Sequence, residues 1–150
     1  MEFSIDEIKK LRKEMSASIS DCREALVNAN GDFKEAKKIL EKKGAKIVEK
    51  KKDRETNAGT IGFYLHQNKK IAAIVKISCE SDFVAKNDIF YSFAHNVAMH
   101  IAAMNPRNEE ELMIQPFIKD QQKTIKELFT EIIAKLGENI QIKEFKRIEV

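Results

Sequence analysis

The chain of 150 residues has two cysteines, three histidines and a net charge of only +3, and each shortage removes a class of function. Cys22 and Cys79 stand far apart and form no CxxC pair, so they supply neither a disulfide framework nor a metal site, and a reducing cytoplasm is the expected compartment. No apolar stretch approaches the ~20 residues that a membrane span needs. The start, MEFSIDEIKK, has no basic region followed by an apolar one, so it does not read as a secretory signal, and its acidic residues argue against a mitochondrial transit peptide. The small positive charge does not imply nucleic acid by itself. Neither G-x-G-x-x-G nor G-x-x-x-x-G-K occurs, which removes both phosphate-cradling loops. His66, His95 and His100 have no Glu or Cys at metal-ligand spacing, and no Ser/His/Asp set is singled out. The expectation is a protein that is not an enzyme, with no catalytic residue, no metal and no cofactor.

What is present is the composition of a soluble globular protein, 34% charged and 43% hydrophobic, in a chain long enough for one domain or two small ones. Ser4 and Glu7 form a capping box, and Ile5, Ile8, Leu11 and Met15 then recur on one face of a helix. Ile19, Cys22, Leu26 and Ala29 make a second stripe. Asn30 and Gly31 break it, and Asp32 caps a third helix with Phe33, Ala36 and Leu40, for which Gly44 fits the end. Residues 1–48 therefore read as a three-helix bundle, followed over 49–58 by a charged connector containing EKKKDRE. That run reads as a solvated helical segment. The competing reading, a basic patch for RNA, is weakened by Glu49, Asp53 and Glu55 and by the lack of aromatics.

From Thr60 the period changes to two. Ile61, Phe63 and Leu65 alternate with Gly62, Tyr64 and His66, and after the turn at Gln67-Asn68-Lys69 the residues Ile71, Ala73, Val75 and Ile77 alternate in turn. This predicts an antiparallel hairpin with one face buried. Asn87 or Asp88 can cap a helix striped by Phe90, Phe93, Val97, Ile101 and Met104 and stopped at Asn105-Pro106-Arg107. On it His95 falls opposite the stripe and His100 at its edge. Residues 108–123 read as an irregular polar connection. Thr124 and Glu127 form a second capping box, opening a helix with Ile125, Leu128, Phe129, Ile132, Ile133 and Leu136 on its buried side, which ends at Gly137. The tail alternates at Ile140 and Ile142 and again at Ile148 and Val150. Phe145 is out of phase, so a bulge or two-sided burial is expected as the tail returns to pair with the hairpin. The fold class is α+β: a helical bundle followed, over 59–150, by a small antiparallel sheet packed by helices.

One segment fits no bland pattern. In ESDFVAKND, residues 80–88, a phenylalanine stands where a chain leaving a strand usually spends Gly, Asn or Ser. Either Phe83 folds back into the core, or it is held out as an anchor for a partner, where its burial is worth about 1.5–3 kcal/mol.

Four segments carry a resemblance to a known family. LRKEMSASISDCREALVNANGDFKEAKKILEKKGAK, CESDFVAKNDIF, AMHIAAMNPR and KLGENIQIKEFKRIEV resemble, in order, the characteristic stretches of bacterial elongation factor Ts, in a short, single-core form. CESDFVAKNDIF is the most specific of them, close to that family's CETDFVARN-type segment. The resemblance implies a ubiquitin-associated-like N-terminal bundle and a role as guanine-nucleotide exchange factor of elongation factor Tu. It implies further that the loop of Ser81, Asp82, Phe83 and Val84 enters the GTPase and disturbs its Mg²⁺ site, with Arg12, Ile19, Ser20, Arg23 and His100 as additional contacts. No membrane and no direct nucleic-acid contact are expected.

The chain departs from the family in three places. The T-G-A-G turn reads Met15-Ser16-Ala17-Ser18, so it is expected to form without a free positive φ or in another shape. The Thr of T-D-F-V is Ser81, which keeps the hydroxyl. Only seven residues separate Arg107 from Gln115 where relatives carry a helical insertion, and a second core repeat is absent. A single-core chain of this kind is expected to act as a homodimer. The alternatives are a divergent Tu-binding protein of weak exchange activity and a nucleic-acid-binding helical module.

Overall fold

The computed structural model describes residues 3–150. Helix α1 (Ile5–Met15) opens on the capping box of Ser4 and Glu7, and α2 (Ile19–Asn28) opens on Ser18, whose hydroxyl accepts the Asp21 amide. Asp32 caps α3 (Phe33–Lys51) through the Glu35 amide. Each such cap satisfies a donor that the helix cannot use and is worth about 1 kcal/mol. Leu11, Cys22, Ala25, Leu26, Ala36 and Leu40 close over one another as a first apolar cluster.

Two expectations for this region are corrected. Ser16 sits at φ +54°, ψ +21°, so the turn between α1 and α2 does use the left-handed region, with a serine in place of glycine. Its amide donates to the Arg12 carbonyl at 2.8 Å, the bond that closes α1. Gly44 does not end α3: it is buried in mid-helix, and a Cβ there would stand 3.1 Å from the Thr130 methyl. The missing side chain lets α3 cross the helix of Thr130 closely, and α3 runs on so that Ile47 and Val48 pack on the second cluster.

Strands β1 (Ala58–Leu65) and β2 (Ile71–Cys79) form the expected antiparallel hairpin, and the tail returns as β5 (Gln141–Glu149) on the other side of β2, giving the order β1-β2-β5. The expected bulge is present. Lys76 pairs with Glu144 and Ile77 with Ile142, leaving Lys143 as the extra residue. That extra residue brings Ile142 into the core while Phe145 packs at its margin.

Helix α5 (Asp88–Met104), capped by Asn87 and closed by Asn105 in the left-handed region, lies on one face of the sheet and buries Phe90, Phe93, Val97 and Ile101. Met104, at the end of the stripe, is exposed. Residues 108–123, expected to be irregular, contain α6 (Glu109–Ile114) and a small hairpin of β3 (Pro116–Phe117) and β4 (Asp120–Thr124). Thr124 and Glu127 cap α7 (Ile125–Leu136), which stops at Gly137 with φ +74°. The first turn after β2 is α4 (Asp82–Ala85).

The hairpin buries the opposite side of β1 from its large apolar residues. Gly62 is buried under α5, where an added Cβ would meet the Ala94 carbonyl oxygen at 2.3 Å, and Tyr64 flanks it. Ile61, Phe63 and Leu65 point away into solvent at 64%, 69% and 51% exposure. The register explains this: the strand face against α5 must be small at its centre, so the glycine, not the phenylalanine, sits there.

Candidate partner interface

Two surfaces stand out, and the first is the turn after β2. Ser81 is the N-cap of α4, its hydroxyl accepting the Val84 amide at 3.3 Å. A helix of one turn has too few bonds to hold itself, so its geometry depends on what surrounds it. Val84 and Ala85 are buried in the main core, which fixes one side of the turn. Alternation around the turn then leaves Asp82 and Phe83 outside, and Phe83 is 92% exposed, the aromatic least covered by its own chain.

The other side of the turn is gripped by Glu138, just past the end of α7. Its Oε1 accepts the Glu80 amide at 3.1 Å and the Ser81 amide at 2.9 Å, and its Oε2 accepts the Ser81 hydroxyl at 2.5 Å. The neighbouring Asn139 is buried. Its side chain donates to the carbonyls of Arg54 at 2.8 Å and Lys52 at 3.3 Å, and its amide to Glu80 Oε1 at 3.3 Å. Lys51 donates to the Gly137 carbonyl at 2.7 Å. Residues 137–139 therefore bind the end of α3 with one set of atoms and the Phe83 turn with another. Beneath the turn, Cys79 is fully buried and its thiol reaches the Ser81 carbonyl at 3.3 Å. Burial, helped by the nearby Glu138 charge, pushes that thiol up to about 11, which keeps it protonated and unreactive.

Of the loop residues read from the sequence, Asp82 and Phe83 face solvent, Ser81 is half-buried and engaged in capping, and Val84 belongs to the core. Arg12 near the end of α1, and Ile19, Ser20 and Arg23 at the start of α2, are all exposed. Among the described residues, no hydrogen bond or ion pair joins them to the Phe83 turn. His100 is fully buried in α5. Its Nδ1 accepts the Ile118 amide, so Nε2 carries the proton and donates to Gln115 Oε1 at 2.9 Å. Burial pushes this imidazole below its ordinary value, with the Gln115 bond opposing. It props the small hairpin against α5 and offers no surface of its own. His95 is exposed, as its place on the helix implies, and its Nδ1 lies 3.0 Å from the Phe63 carbonyl.

The second surface is the outer face of the sheet. Phe63 pairs across the strands with Ile74, and Leu65 with Ala72, which in turn pairs with Ile148 on β5. Phe63, Ile148 and Ile61 are each more than half exposed and Ile74 nearly so. Lys76, opposite Ile61, and Lys146, opposite Ile74, share this face and interrupt it with charge. The exposed apolar side chains between them make it a candidate contact surface. Glu138 and Asn139 were not singled out by sequence reasoning. A glutamate and an asparagine after a helix-ending glycine look like ordinary loop residues, and only the fold places them under residues 57 positions or more away.

These features define an α+β module that presents exposed phenylalanines at positions 63 and 83 and, among the described residues, no cluster of three or more potential metal ligands. The family model described as Elongation factor TS matches residues 2–108 and 80–150. An Elongation factor Ts of Fervidobacterium nodosum is 36% identical over 195 residues, covering all of this chain and 99% of that protein, and one of Thermotoga maritima is 37% identical over 193 residues, covering all of this chain and 97% of that protein. An Elongation factor Ts of Trichlorobacter lovleyi is 41% identical over 145 residues, 97% of this chain but 47% of that protein. The chain belongs to the elongation factor Ts family of translation factors. The first two alignments are longer than the chain itself, so those relatives hold segments that it lacks.

Proposed function

We propose that the chain is the guanine-nucleotide exchange factor of elongation factor Tu and acts by inserting Phe83 beside the nucleotide site of that GTPase. Family membership supports the role, and the single observation that carries the mechanism is an aromatic side chain 92% exposed on a turn braced from both sides. Such a factor needs no catalytic residue. In a GTPase, Mg²⁺ bridges the protein and the phosphates, so a wedge that disturbs its ligands weakens the nucleotide. Exchange is then coupling between two ligands of one protein, and the factor is weakened by GDP as much as it weakens GDP. Burying Phe83 in the partner supplies about 1.5–3 kcal/mol, or roughly 10–100-fold. The remainder comes from a wider contact, for which Arg12, Ile19, Ser20 and Arg23 on an N-terminal bundle of ubiquitin-associated type are the candidates.

The same reading includes a homodimer. A chain with one core module leaves Ile61, Phe63, Leu65, Ile74 and Ile148 exposed on the outer sheet face, and a second copy laid on it by two-fold symmetry would cover Phe63 with its own counterpart. The work of such a factor places it in the cytoplasm. The test is release of a fluorescent GDP from the cognate elongation factor Tu. Acceleration by catalytic amounts of the chain supports the proposal, and tight binding without acceleration favours the divergent binder.

A further inference from the structure

We infer that Glu138 is the positioning residue of the Phe83 wedge, holding the turn of α4 in the shape that the partner meets. The inference rests on the exchange reading given above. Three donors converge on this one carboxylate: two consecutive backbone amides, of Glu80 and Ser81, and the Ser81 hydroxyl. Ser81 has a single hydroxyl proton, and it goes to Glu138. Its oxygen is thereby left to accept the Val84 amide, which is the cap of α4. Glu138 thus fixes the polarity of the cap as well as the path of the chain.

The alternative supports are few. No side chain covers Phe83, and one helical turn cannot order itself. Buried Val84 and Ala85 hold the inner side of the turn and the Cys79 thiol reaches the Ser81 carbonyl, while the amides that lead into the turn are held by Glu138. Without Glu138, the amides of residues 80 and 81 lose their acceptor and the turn can rock. An anchor that must be ordered during docking gives up part of the gain from its burial. Asn139 strengthens the inference, because its bonds to the Lys52 and Arg54 carbonyls fix the backbone that carries Glu138.

The wild-type chain contains no tryptophan, so a Phe83→Trp variant gives one reporter at the wedge. In the free protein, adding Glu138→Ala is expected to quicken the local depolarisation of that reporter; an unchanged anisotropy decay overturns the inference. In nucleotide release from elongation factor Tu, Glu138→Ala is expected to lower the rate at saturating factor about tenfold, the effect of losing hydrogen bonds to a charged acceptor. The double variant Glu138→Ala/Phe83→Ala should be no slower than Phe83→Ala alone, since the carboxylate acts through the phenylalanine. Losses that multiply in the double variant overturn the inference while leaving the wedge intact. If Phe83→Ala itself matches wild type, the wedge fails and the role of Glu138 in exchange falls with it, whatever the anisotropy shows. Glu138→Gln keeps one oxygen for the two amides and is expected to fall between wild type and alanine. It replaces the alanine variant if that chain does not fold, and full wild-type activity in it overturns the need for the second oxygen and the charge.

Discussion

Phe63 on β1 stands directly opposite Ile74 on β2, and both side chains point away from the core into solvent. A large aromatic on an open sheet face is costly to leave wet, and its place on β1 between exposed Ile61 and Leu65 makes it the residue on which the proposed dimer should depend. Phe63→Asp is expected to weaken self-association at least about tenfold and to leave the monomer folded, since the wild-type side chain makes few contacts within its own chain. Sedimentation of wild type and variant at matched concentrations checks this. A wild-type protein that sediments as a monomer at tens of micromolar contradicts the dimer.

Gly62 and Gly44 both sit at close crossings, yet their substitution should differ. A Cβ on Gly62 would lie 2.3 Å from the Ala94 carbonyl oxygen, and a backbone atom of a packed helix cannot move aside. Gly62→Ala is expected to cost about 3 kcal/mol, the upper end for overpacking. At Gly44 the obstacle is the Thr130 methyl at 3.1 Å, a side-chain atom that can shift a few tenths of an ångström. The gain in helix propensity, about 1 kcal/mol, offsets the crowding there, so Gly44→Ala should stay within about 1 kcal/mol of wild type. Urea unfolding of the two variants makes the comparison.

His100 is held neutral inside the fold, with its pKa below the ordinary 6.5. The unfolded chain therefore binds more protons below that value, and stability falls as the pH drops from about 6.5 toward the folded pKa. Well above 6.5, where the imidazole is neutral in both states, this residue contributes no pH dependence. His100→Gln cannot titrate, so its loss of stability between pH 7 and pH 5.5 should be smaller than that of wild type, although it is less stable at neutral pH. Equal slopes for the two proteins would sink the assignment.

Cys22 and Cys79 are both fully buried, and burial raises the pKa of each, that of Cys79 to about 11. At pH 8 the thiolate of Cys79 is then scarcer by about 100-fold than for an ordinary cysteine. Neither thiol should react with an aromatic disulfide reagent while the protein is folded, and both should react at once in denaturant. Rapid labelling of one thiol in the native protein would show that its part of the core opens.

How far the sequence foretold this molecule depended on whether the information was local. Both capping boxes, the Asp32 cap and the stops at Asn105 and Gly137 appear where the residues placed them, because a cap needs only a side chain and an amide two or three positions away. The bulge was legible from the phase of Phe145. The face of β1 was not, because alternation states that two faces differ and leaves open which one a helix covers. Here a partnerless Phe63 and a close approach at Gly62 reversed the usual assignment. Gly44 misled for a related reason: a glycine at a helix crossing looks the same as one at a helix end. Helix α6 and the β3–β4 hairpin escaped because six and two residues are too short to show a period. Phe83 was visible as an oddity in a loop, whereas Glu138 could be found only through contacts between distant parts of the chain.

The central claim is that Phe83 is the part of this factor that loosens the nucleotide. The most direct measurement is stopped-flow release of fluorescent GDP from the cognate elongation factor Tu, with wild type and Phe83→Ala compared at saturating concentration. Since Phe83 is almost wholly exposed, the variant should unfold at the wild-type urea midpoint. The account predicts a release rate lower by about tenfold or more, the worth of one buried aromatic side chain. Equal rates in the two proteins would contradict it.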